Sequence, residues 1–200
     1  MHATRQARVV ALIDTVGTAL ILQLAFVAFA LPIVTAAPAA VALQRQLADL
    51  QRGERAGFAP FAREFARSWR ASWPLGIAAA AVTAGFAAGI PFWYAATFPF
   101  ARVGLGLLVC LLGLAGALYL NVLSAAEVMR AARWRRWLDA GFDHLARNPL
   151  RSLSALIVLG AWLVALAYAP TLVLVGSGLV PALIARYLLA PPANRQASRS

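Results

Sequence analysis

The chain has 200 residues, is 62% hydrophobic and only 12% charged, and has a mean hydropathy of +0.74. A soluble domain holds roughly 45–50% apolar residues, and one this apolar could not cover its own surface, which excludes an ordinary soluble globule. The net charge of +11 would suggest nucleic acid in a soluble protein, but here the arginines flank apolar runs, so the implied partner is the anionic headgroup layer of the cytoplasmic leaflet and no nucleic acid.

Five apolar runs of membrane length follow one another. The first covers about 9–36, after Arg5 and Arg8. Its length of about 27 residues exceeds the roughly 7–15 of a signal-peptide core, so a retained transmembrane helix is expected. The second follows Pro74 and spans about 74–94, and the third about 103–126. The fourth, about 150–168, starts after Asn148, a helix cap, and Pro149, which suits a first turn. The fifth, about 171–190, contains Pro181, which predicts a bend. Each approaches the roughly 20 residues needed to cross about 30 Å of hydrocarbon. A disordered cytoplasmic tail is expected over 191–200.

All eighteen basic residues are arginine, and they alternate. Six lie between Ala36 and Ser72 and six between Glu127 and Arg151, whereas the hairpin from Tyr94 to Val103 carries only Arg102. This asymmetry places both arginine-rich loops and the carboxyl terminus in the cytoplasm and the amino terminus outside. Phe92, Trp93, Tyr94, Phe98 and Phe100 then form an outer aromatic belt.

The two loops carry amphipathic patterns. Leu43, Leu47 and Leu50 recur at helical spacing before a stop at Gly53. Phe61, Phe65, Trp69 and Trp73 fall at intervals of four, and Trp134, Trp137, Leu138, Phe142 and Leu145 make a second stripe beside Arg133, Arg135 and Arg136. Basic helices with aromatic faces lie in the membrane interface or dock on a partner. Phe61, Phe65, Trp69, Arg133, Trp134, Arg136 and Trp137 are therefore the candidate lipid or partner contacts. The fold expected is an all-α, polytopic helical bundle over 1–190, with about five transmembrane helices and two cytoplasmic interfacial helices. An offset of 80 residues relates Phe65–Ser68 to Leu145–Asn148 and Ser72 to Ser152, which suggests a parallel repeat of the kind found among transporters.

Chemistry is sparse. Asp14, Gln23 and Asn121 are the intramembrane polar residues, and Glu127 sits at the end of its span. Gly85 and Gly89 form a GxxxG that would let helices approach closely. Asp139 and Asp143 share a helix face, as a metal-dependent lipid enzyme would want, but the second cluster is missing. Arg135, Arg136 and Arg147 lie three or four residues away, the spacing of helix ion pairs. Cys110 is the only cysteine, which excludes disulfides and cysteine-ligated metals. No catalytic residue, metal site or cofactor is expected.

The stretch Leu31-Pro32-Ile33-Val34-Thr35-Ala36-Ala37-Pro38-Ala39-Ala40 resembles the signature turn of the YesL-like family of small bacterial membrane proteins. Phe58 to Ser68 resembles that family's phenylalanine-rich basic segment, and Asn148-Pro149-Leu150 its late helix start. Gln23 and Ala37 depart from the asparagine and glycine usual there. The resemblance implies association with carbohydrate ABC transport but no activity and no residue roles. Two functions are carried forward: an accessory subunit bound to permease or ATPase subunits, and a small self-contained transporter or channel formed by a homo-oligomer.

Overall fold

Pro32 ends the first helix four to six residues earlier than its hydropathy suggests, and everything downstream depends on that turn. In the computed structural model, which describes residues 2–130, 133–169 and 171–189, α1 runs His2–Ala30 and α2 Ile33–Gln51. Proline cannot continue the helical hydrogen bonds. Thr35 closes the turn, its Oγ1 donating to Phe29 O at 2.5 Å and to Pro32 O at 2.6 Å. α2 stops in a Schellman motif: Gly53 adopts φ +72°, Gly53 N–H bonds Leu50 O at 3.1 Å, and Glu54 N–H bonds Asp49 O at 2.9 Å.

The remaining helices are α3 Phe58–Ala95, α4 Ala101–Val128, α5 Trp134–Arg147 and α6 Pro149–Tyr168. Two short pieces follow, α7 Leu172–Gly176 and α8 Leu179–Ile184, which pass into a π-helical turn at Ala185–Leu189. Among the described residues there is no strand, and five helical segments are long and apolar enough to cross a membrane. The chain is an all-α, multi-pass membrane protein.

Three expectations are corrected. First, the segment 41–52 does not lie along a surface. Residues 37–49 of α2 are buried without interruption, on every side of the helix. Ala37, Ala39, Ala40, Ala42 and Ala48 let neighbours approach from all directions, and a helix that is apolar all round in its first half is an interior one. Second, the phenylalanine-rich segment and the second span form one helix. Pro74 lies inside α3 without breaking it. At 38 residues α3 is about 57 Å long, nearly twice the hydrocarbon thickness, so its first half stands outside the membrane. The corresponding second-half segment is broken between α5 and α6 at Asn148, so any repeat is imperfect here. Third, the fifth span is interrupted at Ser177–Gly178 rather than bent at Pro181 itself. The proline lacks an N–H and its ring crowds the carbonyl four residues back, which is Ser177.

The core is concentrated at the arginine-rich end. There α2, the first half of α3, the last turns of α4, α5 and the π-turn enclose Leu43, Phe61, Leu120, Trp137 and Leu189, all 0% exposed. The other end opens into helices whose outward faces are apolar and exposed, as lipid contact requires. Phe92, Tyr94, Phe98 and Phe100 are exposed at the far hairpin, and Trp93 makes edge contacts with Phe92 and Phe98, each at 5.6 Å. Residues 190–200, including the expected tail, lie outside the described residues.

Close helix approach occurs where α2 meets α3. Ser68, Ser72 and Gly76 are buried at intervals of four. A Cβ on Gly76 would run into the Val34 carbonyl oxygen, which Pro38 leaves without its usual N–H partner. The expected GxxxG does less: a Cβ on Gly85 would meet nothing within 4 Å, and one on Gly89 would first meet the flexible end of the Leu108 side chain.

Candidate functional site: a buried polar junction around α2

Four polar side chains of α2 enter the interior: Gln44, Arg45, Gln46 and Asp49. A buried charge is tolerable only if it is paired and its donors are satisfied. Arg45, 3% exposed, meets this fully. Nη1 donates to Glu64 Oε1 of α3 at 2.6 Å, while Nε and Nη2 donate to Ala126 O at 3.1 and 2.9 Å and Nη2 also to Arg130 O at 3.3 Å. The guanidinium lies 5.3 Å from the centre of the Trp137 ring, a favourable cation–π position.

The carbonyls it serves are those at the end of α4, which have no helical partner. Met129 O is taken by Trp137 Nε1 at 3.0 Å. The carboxyl end of α4 is thus capped by an arginine from one helix and a tryptophan from another, and the cation also suits the negative end of the helix dipole.

Two further links complete the junction. Arg130 donates to Asp49 Oδ1 at 2.6 Å and to Arg45 O at 3.4 Å, and Arg52 also pairs with Asp49. Burial disfavours the Arg130 charge, but the hydrogen bond and the charge of Asp49 outweigh it and leave the guanidinium more firmly protonated than usual. Gln44 Nε2 donates to Glu127 Oε2 at 2.7 Å, and Arg186 of the π-turn lies 3.0 Å from Glu127 Oε1. Arg186 Nη1 is not aligned for a hydrogen bond, so that contact is charge attraction. The junction joins α2, α3, α4, α5 and the fifth span.

A second polar cluster holds α4, α5 and α6 together. Asn121 Nδ2 donates to Ala117 O at 2.8 Å and Ser152 Oγ at 3.1 Å, so its Oδ1 faces His144 Nδ1 at 2.6 Å and accepts from it. Partial burial lowers the His144 pKa, the charge of Arg151 adds to this, and Asp143 opposes both. A third contact repairs the broken span. Gln23, 0% exposed, donates through Nε2 to Ser177 Oγ at 3.0 Å and Val173 O at 3.5 Å, and its Oε1 accepts Leu179 N–H at 2.8 Å.

The predicted site residues divide accordingly. Phe61 and Trp137 are fully enclosed and cannot meet lipid or a partner. Phe61 and Phe65 clasp Phe29 of α1, with ring centres 5.7 and 4.7 Å away, and Trp69 stacks on Phe65 at 6.4 Å. Trp134 is half-buried, with the Arg135 guanidinium 5.4 Å from its ring centre. Arg133 and Arg136 are exposed, and so is Asp14, several turns before Gln23 on α1. Gln23 and Asn121 are structural donors and acceptors at helix contacts. Asn148 does not cap α6 with its side chain; Nδ2 instead reaches back to His144 O at 3.5 Å. Asp139 and Asp143 are exposed, and Asp143 pairs with Arg147 at 2.8 Å. Among the described residues no group of three or more His, Cys, Asp or Glu could hold a metal ion.

Arg45, Asp49, Glu64 and Arg186 were not singled out from the sequence. The available signal was the unbroken apolar run Ala36–Leu43 immediately before Gln44 and Arg45, which marks an interior helix whose next polar residues must find partners. No family model matches the chain, and neither any curated protein nor any solved structure is significantly similar to it.

Proposed function

We propose that the chain is an accessory, non-catalytic subunit of the bacterial cytoplasmic membrane. Its amino terminus lies outside and its carboxyl terminus inside, so the arginine-rich end faces the cytoplasm. One observation carries this reading. The charged groups inside that end are paired with one another, Arg45 with Glu64, Asp49 with Arg130 and Glu127 with Arg186, while Arg63, Arg70, Arg133, Arg135, Arg136 and Arg151 remain exposed with no carboxylate within 4.0 Å among the described residues. A closed interior with a free cationic rim suits contact rather than turnover, and an acidic surface of a transport complex is complementary to it. The resemblance of the Leu31–Ala40 turn to the YesL-like family adds carbohydrate ABC permease or ATPase subunits as the partners. Affinity purification of the tagged protein from its host in gentle detergent, followed by mass spectrometry, tests this. Stoichiometric permease or ATPase subunits, lost when Arg133, Arg135 and Arg136 are changed to Glu, is the expected result.

A second reading is a small transporter acting as a homo-oligomer. It is favoured by the interrupted fifth span, since helices broken at membrane depth are characteristic of transport sites. Recovery of the chain alone as a defined oligomer, with solute flux in liposomes that Gln23→Leu alters, would replace the first reading with this one.

A further inference from the structure

Residues 63, 67, 70, 74, 77, 81, 85 and 88 of α3 fall on one stripe of the helix. It reads Arg63, Arg67, Arg70, Pro74, Ile77, Ala81, Gly85, Ala88, and all but the half-buried Pro74 are exposed. The buried face, with Phe61, Ser68, Ser72 and Gly76, is diametrically opposite. Because α3 is continuous, the arginines stand directly in line with the stripe that faces lipid tails.

The position of the membrane along α3 follows from its aromatics. Trp73, 51% exposed, and Trp93 are twenty residues apart, about 30 Å along a helix, which matches the hydrocarbon thickness with a tryptophan at each boundary. Arg70 then lies about 4–5 Å beyond the boundary, Arg67 about 9 Å and Arg63 about 15 Å. The headgroup layer is about 5–8 Å deep on each side. Arg70 is within it, Arg67 at its edge, and Arg63 outside.

None of the three is consumed internally. Arg63 and Arg70 have no carboxylate within 4.0 Å among the described residues, and Arg67 is 3.6 Å from a Glu64 that Arg45 already holds at 2.6 Å. A second copy packed on this face in parallel would set arginine against arginine. Anionic lipid has the opposite sign and is already at that depth.

We propose that Arg70 and Arg67 bind the phosphate groups of anionic phospholipids, fixing the depth of α3 in the bilayer. This shares Arg70 with the cationic rim of the accessory reading above, but the two are tested at different residues, that reading at the α5 arginines and this one at Arg67 and Arg70. The test is native mass spectrometry of the full chain released from micelles doped with phosphatidylglycerol or phosphatidylcholine. Phosphatidylglycerol should be retained preferentially. Arg70→Gln and Arg67→Gln should each weaken its apparent affinity by up to about fivefold, the effect of one surface cation near an anionic membrane. Arg63→Gln should change it by less than about twofold, and Arg67→Lys with Arg70→Lys should keep the preference. Salt on the unaltered protein gives a control that needs no variant, since exposed charges are screened at about 1 M. The proposal fails if the double Gln variant holds phosphatidylglycerol as well as the unaltered chain. It fails equally if Arg63→Gln is as damaging, if phosphatidylcholine falls in parallel, or if the preference survives 1 M salt. A co-purifying acidic protein lost from the double variant, with lipid retention unchanged, would assign the stripe to a protein instead.

Discussion

Arg45 of α2 and Glu64 of α3 form an ion pair at 2.6 Å, with side chains only 4% and 12% exposed, nineteen residues apart across the Gly53–Gly57 turn. The same guanidinium caps the end of α4, so one side chain ties three helices. Removing one partner of a buried pair strands the other charge, at about 3–5 kcal/mol. Arg45→Ala is therefore expected to lower thermal stability in detergent sharply. Arg45→Met combined with Glu64→Leu should cost less than Arg45→Ala alone, because no charge is left unpaired. Melting curves of the three proteins check this, and a double variant less stable than Arg45→Ala would refute it.

The contact of Gly76 with the Val34 carbonyl leaves no room for a side chain. Both atoms belong to backbone, so relief requires α3 to move away from α2. Overpacking of this kind costs about 1–3 kcal/mol or more. Gly76→Val should be severely destabilised, whereas Gly85→Val, in open space, should melt within a degree or two of the unaltered protein. Comparable loss at both positions would contradict the packing described.

Gln23 supplies the acceptor for Leu179 N–H at the break in the fifth span. An unpaired buried N–H costs about 1–3 kcal/mol. Gln23→Leu should destabilise by about that amount. It should also make a cysteine placed at Ser177 react faster with a thiol reagent, as the break loosens.

His144 titrates below its ordinary range because burial and Arg151 disfavour the cation. The unfolded chain, at about pH 6.5, takes up the proton first, so acid favours unfolding. Stability is fully present above about pH 6.5 and declines as the pH falls through that value toward the lowered folded pKa. His144→Gln, whose amide can still donate to Asn121, should show a smaller loss in melting temperature between pH 8 and pH 5.5. Parallel behaviour of the two proteins would remove His144 as the cause.

Asp139→Ala and Asp143→Ala separate structure from catalysis. The exposed Asp143–Arg147 pair is worth about 0.3–0.5 kcal/mol. Melting should shift by no more than that, and association with any partner identified by purification should persist.

The sequence by itself determined the class of protein, the five spans and the separation of a basic end from an aromatic one. Those features follow from local quantities: apolar run length, arginine placement and Gly53 as a stop. What it could not determine is which helical faces meet. The pattern of Leu43, Leu47 and Leu50 is equally that of a surface helix and of one enclosed on all sides. Only the packing of α3, α4, α5 and the π-turn around α2 decides for enclosure. The same holds for the arginines. Arg45 and Arg70 have the same side chain in one arginine-rich segment of the sequence, yet the fold pairs one with Glu64 inside and leaves the other exposed in line with lipid. That difference rests on contacts between residues far apart in the chain, such as Arg45 with Ala126 O and Gln23 with Leu179 N–H. Burial of a polar group depends on such partners being brought to it, and only the tertiary structure brings them.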